Sequence, residues 1–220
     1  FFAITAHGGD GHRYLGECYA RGVRSFVIEK EGATESFPEN AQANILLVTD
    51  AIDAMQRLAG WHRGQFQIPV IGITGSNGKT IVKEWLYELS SPGKSVVRSP
   101  KSYNSQIGVP LSVWQLQPAH EMAIFEAGIS QRGEMERLET VIKPTIGIIT
   151  NIGAAHQGHF HSLEEKIDEK LALFRSAGML IYPKDYDLIA QRIEAKKQKG
   201  FFSKDIKLIG WSKTQEAALR

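Results

Sequence analysis

Cysteine is almost missing from this chain: its 220 residues include one, Cys18. No internal disulfide framework can brace the fold, and such usage suits a reducing, cytoplasmic setting. Apolar runs long enough to cross a bilayer are also missing, which excludes a membrane-inserted helix. Nor does one sign of charge dominate. Lys and Arg number 26 against 24 Asp and Glu, a formal net charge of +2, so charge implies neither nucleic acid nor an anionic membrane surface as a partner. No internal repeat, low-complexity tract or heptad seam interrupts the chain. What remains, 42% hydrophobic and 23% charged, is the composition of a globular chain able to bury a core. The chain opens at Phe1, without methionine and inside a strand-like run. An upstream segment is therefore expected to have been removed or left out, and the lack of a signal peptide carries little weight.

The most informative stretch is Val70-Ile71-Gly72-Ile73-Thr74-Gly75-Ser76-Asn77-Gly78-Lys79-Thr80. Pro69 opens a β-branched strand, glycines let backbone N–H groups approach an anion, and Ile81, Trp85, Leu86 and Leu89 then recur with helical spacing. A helix N-terminus offers unpaired donors and a positive dipole end, Lys79 can reach terminal phosphates, and the Thr80 hydroxyl can bind magnesium. ATP or GTP is the expected ligand, held by Gly75, Ser76, Asn77, Gly78, Lys79 and Thr80. The common phosphate-loop pattern places glycine where this chain has Ile73; the spacing here is G-x-x-G-x-x-G-K-T. A glycine-rich turn with a chance lysine is the competing reading.

Strands are expected at Phe1–Thr5, Ser25–Glu29, Ile45–Val48, Val70–Thr74, Ser95–Arg98, Met122–Phe125, Thr145–Thr150, Met179–Tyr182 and Ile206–Gly210. Helices fall between them, with Asp50 as a candidate N-cap and Leu163–Phe174 and Tyr186–Lys196 as later helices. The alternation predicts an α/β fold, a small N-terminal α/β unit followed by a mostly parallel sheet flanked by helices. Gly64–Pro69 is the one plausible boundary, giving domains 1–68 and 69–220. Open parallel sheets bind ligands at the carboxyl ends of their strands. There lie Thr74-Gly75, Glu126-Ala127-Gly128, and Asn151 followed by Gly153 and His156.

Glu126 ends an apolar strand, where an unpaired carboxylate is costly to bury and a phosphate-bound magnesium would stabilise it. The alternatives are a cap for the next helix or a pair with Arg132. His156 sits in a small-residue turn that permits close approach of a ligand, but His159 and His161 nearby dilute that signal. Lys170 falls inside the stripe formed by Leu163, Ile167, Leu171 and Phe174. Either its stem packs and its ammonium snorkels to water, or it serves the site. A positive lysine about 4 Å from magnesium would be repelled by roughly 8 kcal/mol at an effective dielectric near 20. In a site it must be neutral, distant or chemically anionic.

Taken together these stretches resemble the MurF-type Mur ligases over essentially the whole chain. Phe1-Phe2-Ala3-Ile4 with Asp10-Gly11-His12 resembles the N-terminal UDP-binding domain shared by MurE and MurF types. Gly72–Thr80 is similar to the family's ATP loop, and Tyr103-Asn104-Ser105-Gln106-Ile107-Gly108-Val109-Pro110 to the MurF form of the next motif. The resemblance implies an ATP-dependent ligase of peptidoglycan precursor synthesis that joins D-Ala-D-Ala to UDP-N-acetylmuramoyl-tripeptide through an acyl phosphate. It implies ATP and magnesium as cofactors, catalytic roles for Lys79, Lys170 and His156, and metal contacts from Thr80, Glu126, His156 and Lys170. Lys170 would be carbamylated, and Asp10, His12, Asn104 and Gln106 would bind substrate. Ala127 departs from the family, where a bulkier apolar residue is frequent. The resemblance also implies that the chain is cut at both ends, without the D-amino-acid-binding domain, so that the isolated stretch would not ligate. The wording of Lys101–Trp114 is similar to that of ligases fused to an alanine racemase. Competing functions are a MurE-like or folylpolyglutamate synthetase-like ligase, and a phosphate-loop regulator that switches without forming a bond.

Overall fold

A computed structural model describes residues 1–6, 8–153 and 160–213. Two compact units result, Phe1–Arg57 and Leu58–Arg220. Their division falls inside helix α2 (Ala51–Arg63), upstream of the Gly64–Pro69 boundary read from the sequence.

In the first unit, β1 (Thr5–Ala6) pairs with β2 (Gly9–Asp10) in an antiparallel hairpin. A 3₁₀ turn (Gly11–Tyr14) and α1 (Leu15–Ala20) lead to β3 (Ser25–Ile28), which pairs in parallel with β4 (Asn44–Leu47). The strand expected at Phe1–Thr5 is shorter than its apolar run. Phe2 makes one parallel bridge to Val27, and Val27 N–H donates to Phe1 O at 2.8 Å. Ala3, Leu15, Phe26 and Ile28 form a small core. Asp50 is the N-cap of α2, its Oδ1 accepting from the N–H groups of Ile52 at 2.8 Å and Asp53 at 2.9 Å.

The second unit is built on six parallel strands. These are β5 (Val70–Thr74), β6 (Val96–Arg98), β7 (Met122–Glu126), β8 (Ile146–Ile149), β9 (Met179–Pro183) and β10 (Lys207–Trp211), in the order β10-β9-β8-β5-β7-β6. Helices α3 (Lys79–Ser90), α4 (Gly108–Val113), α5 (Glu134–Ile142), α6 (Leu163–Leu171) and α7 (Asp187–Gln198) lie along the crossovers. The chain leaves central β5 for the edge at β6, returns to β7, and then crosses to β8 on the far side of β5. Connections therefore diverge from β5 and β8, which opens a crevice at their carboxyl ends. Every residue of β5 is buried, as expected for a strand covered on both faces. One face carries the larger core, including Phe125, Leu138, Ile142, Ile149 and Phe174. On the other, Ile71, Ile73 and Ile124 pack under Val82, Leu86 and Tyr87 of α3.

Helix α3 departs from the sequence reading at three of its four apolar residues, while Leu86 faces inward as expected. Ile81, Trp85 and Leu89 are 56%, 67% and 80% exposed, whereas the inward face carries Val82, Leu86, Tyr87 and the fully buried Lys83. Both stripes have helical period, and the apolar content of the outward one masked the inward one, whose second residue is a lysine.

At Gly147 of β8 an added Cβ would come within 2.4 Å of Phe174 Cδ1, and Phe174 is fully buried. Gly147→Ala is expected to destabilise the protein by about 1–3 kcal/mol, the usual cost of overpacking. The check is urea denaturation, with a lower midpoint and unchanged slope expected; an unchanged midpoint contradicts the close approach.

Candidate functional site

The turn from β5 into α3 is pressed against the end of β8. Gly75 has φ +151°, and a Cβ there would lie 1.9 Å from Thr150 Oγ1, so only glycine fits. Ser76 N–H donates to Asn151 O at 2.7 Å and Asn77 N–H to Asn151 Oδ1 at 3.0 Å. Thr150 Oγ1 donates to Asn77 O at 2.6 Å, and Gly153 N–H to Ser76 Oγ at 3.1 Å. Asn151, two residues beyond the Ile149 end of β8, thus fixes the loop by satisfying two of its donors. Gly78, with φ +80°, ends the turn and α3 begins at Lys79. The first N–H groups of a helix have no intrahelical partner and face the crevice with the positive end of the dipole.

Lys79 Nζ donates to Gly75 O at 2.9 Å, and Lys170 Nζ, from the last turn of α6, donates to the same carbonyl at 3.3 Å. Lys166, one turn earlier on α6, is also buried and donates to Gly153 O at 2.9 Å. Three ammonium groups thus gather around one loop. Burial lowers the pKa of Lys79, with Glu126 opposing the shift and Lys166 adding to it. Lys170 is 3% exposed. Burial first, and then the charges of Lys79 and Lys166, push its pKa down to about 7. Near neutrality Lys170 is therefore divided between its ammonium and its uncharged, nucleophilic amine. This answers the question posed by its apolar stripe: the ammonium does not snorkel to water.

Glu126, fully buried at the end of β7, lies across the crevice from Thr80, whose hydroxyl donates to its Oε2 at 3.2 Å. Ser102 Oγ is 3.2 Å from Thr80 Oγ1. Glu126 Oε1 accepts no hydrogen bond, although Lys83 Nζ is 3.1 Å away; the contact is an ion pair. Arg132, the alternative partner, pairs with Glu165 instead. A hydroxyl and a buried carboxylate oxygen beside a phosphate-binding turn are hard donors of the kind magnesium takes, with phosphate oxygens and water completing its shell. Among the described residues no group of three or more His, Cys, Asp and Glu could hold a metal by itself. His156 lies outside the described residues.

Asn104 and Gln106 sit beside the turn after β7. Gly128 N–H donates to Asn104 O at 2.7 Å, a Cβ on Gly128 would lie 2.9 Å from Asn104 Oδ1, and Gln106 Nε2 donates to Glu134 O at 3.3 Å. Asp10 and His12 belong to the first unit. Asp10 Oδ1 accepts from His12 N–H at 3.0 Å and from His12 Nδ1 at 2.6 Å, while Lys30 pairs with Oδ2. His12 Nε2 accepts from Glu29 N–H at 3.0 Å, which fixes the Nδ1–H tautomer. The Lys30 ammonium and the His12 bonds hold the Asp10 carboxyl well below the usual carboxylate range. Both side chains are thus already engaged, with each other and with Glu29 and Lys30 after β3.

Lys83 and Lys166 were not singled out in the sequence. For Lys166 a signal existed: it precedes Lys170 by one helical turn and shares its face, so the reasoning applied to one lysine applied to both. Lys83 was concealed by the misphased stripe on α3.

The family model described as the Mur ligase middle domain matches residues 73–217. A Synechocystis protein named UDP-N-acetylmuramoyl-tripeptide--D-alanyl-D-alanine ligase is 37% identical over 160 residues, covering 72% of this chain and 34% of that protein. A crystal structure of MurF from Acinetobacter baumannii matches with TM-score 0.82 and 28% identity over 96% of this chain and 44% of the other. MurF from Thermotoga maritima in complex with ADP matches with TM-score 0.82 and 25% identity over 98% and 47%. The chain thus spans about a third of the Synechocystis protein's length and less than half of each solved structure. With the β5 turn, Lys79, Thr80, Glu126 and Lys170 all inside or at the edge of the matched stretch, this chain belongs to the Mur ligase family, whose middle domain it carries.

Proposed function

We propose that this chain is the nucleotide-handling part of an ATP-dependent amide ligase of the MurF type, which joins D-Ala-D-Ala to UDP-N-acetylmuramoyl-tripeptide. The observation that carries the reading is the convergence of Lys79, Thr80, Glu126 and Lys170 on a single turn at the β5–β8 crevice. The names of the relatives support the substrate assignment, and the wording of Tyr103–Pro110 favours it over the MurE-like and folylpolyglutamate synthetase-like alternatives. We assign substrate binding to the N-terminal residues 1–68, including Asp10 and His12, and to Asn104 and Gln106, with ATP bound by residues 69–220. Among the described residues no helix is long and apolar enough to cross a membrane.

In this reading the tripeptide carboxylate attacks the γ-phosphorus of ATP, and ADP leaves with the electron pair of the broken bond. The amine of D-Ala-D-Ala then attacks the acyl carbon, expels phosphate and loses a proton to form the amide. Lys79 neutralises charge growing on the transferred group, and the α3 N-terminus orients the phosphates. Thr80 and Glu126, together with His156 as the family resemblance implies, would hold magnesium, which would supply further charge neutralisation. Lys170, as a neutral amine, can attack carbon dioxide, forming an N–C bond and releasing a proton to water, to give a carbamate anion. That anion removes the repulsion a cationic lysine would meet beside the metal, and Lys79 and Lys166 stand as its counter-charges.

Three outcomes test these assignments. For this chain within a protein of the relatives' full length, phosphate release should require both UDP-N-acetylmuramoyl-tripeptide and D-Ala-D-Ala; release indifferent to the dipeptide would contradict the acceptor. Lys79→Ala should lower acyl-phosphate formation by about 10²–10³ while far-UV circular dichroism stays unchanged, and near-normal turnover would remove Lys79 from the mechanism. Carbamate forms from the neutral amine, so its occupancy should rise with pH through about 7, far below the 10.5 of an ordinary lysine. Carbon NMR with isotopically labelled bicarbonate should therefore show a carbamate signal near neutrality that Lys170→Arg lacks. A signal that survives the substitution would place the carbamate elsewhere.

A further inference from the structure

Lys83 has no part in the chemistry described above, yet it is fully buried and placed at the centre of the site's supports. Its Nζ donates to Ser99 O at 2.8 Å and to Lys101 O, and it lies 3.0 Å from Glu84 Oε1 and 3.1 Å from Glu126 Oε1. These four oxygens come from three places: helix α3 itself, the turn that follows β6, and the end of β7. An ammonium withdrawn from water persists only where such partners replace its hydration. Lys101 has φ +48°, in the left-handed region that non-glycine residues seldom adopt. Its carbonyl nevertheless reaches Lys83, and the next residue, Ser102, touches Thr80.

We propose that Lys83 is a positioning residue for the nucleotide-metal site: it holds one oxygen of Glu126 by charge and so leaves the other turned toward Thr80. The main chain of Glu126 is fixed independently, since its N–H donates to Ser99 Oγ at 3.2 Å. What remains free is the rotation of the carboxylate. Lys83 at Oε1 and Thr80 at Oε2 are the two groups that settle it. Thr80 and Lys83 are three residues apart on α3 and share a face, so one helix sets both the phosphate turn and the orientation of the carboxylate. The same ammonium anchors the Ser99–Ser102 turn, which leads into the Tyr103–Gln106 segment. This inference rests on the reading of Glu126 as a metal ligand and names the group that prepares it.

The test is ADP binding by titration calorimetry with and without Mg²⁺, for the wild type, Lys83→Met, Glu126→Gln and the double variant. The quantity read is the ratio of the two affinities, which measures the metal's contribution and does not follow general stability. Residues that orient a metal ligand contribute about 10–100-fold to metal affinity. Lys83→Met is expected to reduce the ratio by that factor, and the double variant to fall no further than Glu126→Gln alone, because Lys83 acts through Glu126. A folded Lys83→Met with the wild-type ratio overturns the proposal, as does a double variant whose losses multiply. If Lys83→Met does not fold, the double variant against Glu126→Gln decides, since its apolar replacement leaves no buried charge facing another: equal ratios support the proposal and a further loss overturns it. If Glu126→Gln itself keeps the wild-type ratio, the metal reading has failed first, and this proposal with it.

Discussion

The close approach of Gly75 to Thr150 is the constraint on which the site depends. With 1.9 Å between an imagined Cβ and the Thr150 hydroxyl, no side chain fits, and the turn after β5 can lie flat on the end of β8. Asn151 then satisfies the Ser76 and Asn77 N–H groups, so the loop is shaped by protein contacts before any anion arrives. Preorganisation of this kind lowers the cost of ordering a phosphate site on binding. It also explains why ligand-facing residues cluster where the topology reverses, since only there do two neighbouring strand ends shed their connections in opposite directions.

Charge is distributed unevenly around that turn. Lys79, Lys166 and Lys170 meet on one side, and Glu126 with Lys83 on the other. Burial, and then the charges of Lys79 and Lys166, drive Lys170 toward its neutral form, and the lysine side would favour an incoming polyanion. The Glu126 side is different in kind, because its carboxylate is fully buried with one oxygen lacking a hydrogen bond. A buried charge so placed is stabilised by nearby positive charge rather than by water. In the proposed reading the two halves are complementary: one would attract phosphate and the other would offer oxygen to the cation that accompanies phosphate.

Much of this was legible in the sequence. The phosphate turn, the strand ending at Glu126 and the anomalous Lys170 follow from local rules, because glycine spacing and a charge at the end of an apolar strand are visible without tertiary context. All six strands of the main sheet fall within a residue or two of their expected positions. Less legible was anything that required choosing between two faces with the same period. On α3 the outward stripe of Ile81, Trp85 and Leu89 is more apolar than the inward one, and the chain buries Lys83 because four oxygens await it from segments up to 43 residues away. Lys166 carries the same anomaly as Lys170, on the same face of α6 and one turn earlier. At Asp10 and His12 the residues that resemble a substrate motif are also those that cap their own turn and tie it to the end of β3, and sequence alone does not separate the two uses.

The central claim is that Thr80 and Glu126 form the protein's share of a magnesium site at the phosphate turn. The most direct measurement is a crystal structure of this chain grown with ADP and Mg²⁺. The account predicts a metal bonded to Thr80 Oγ1 and to Glu126 Oε2, bridging to a phosphate oxygen, with Lys83 still beside Oε1. ADP seated on the α3 N-terminus with the metal elsewhere, or with Glu126 turned away from it, would contradict the account.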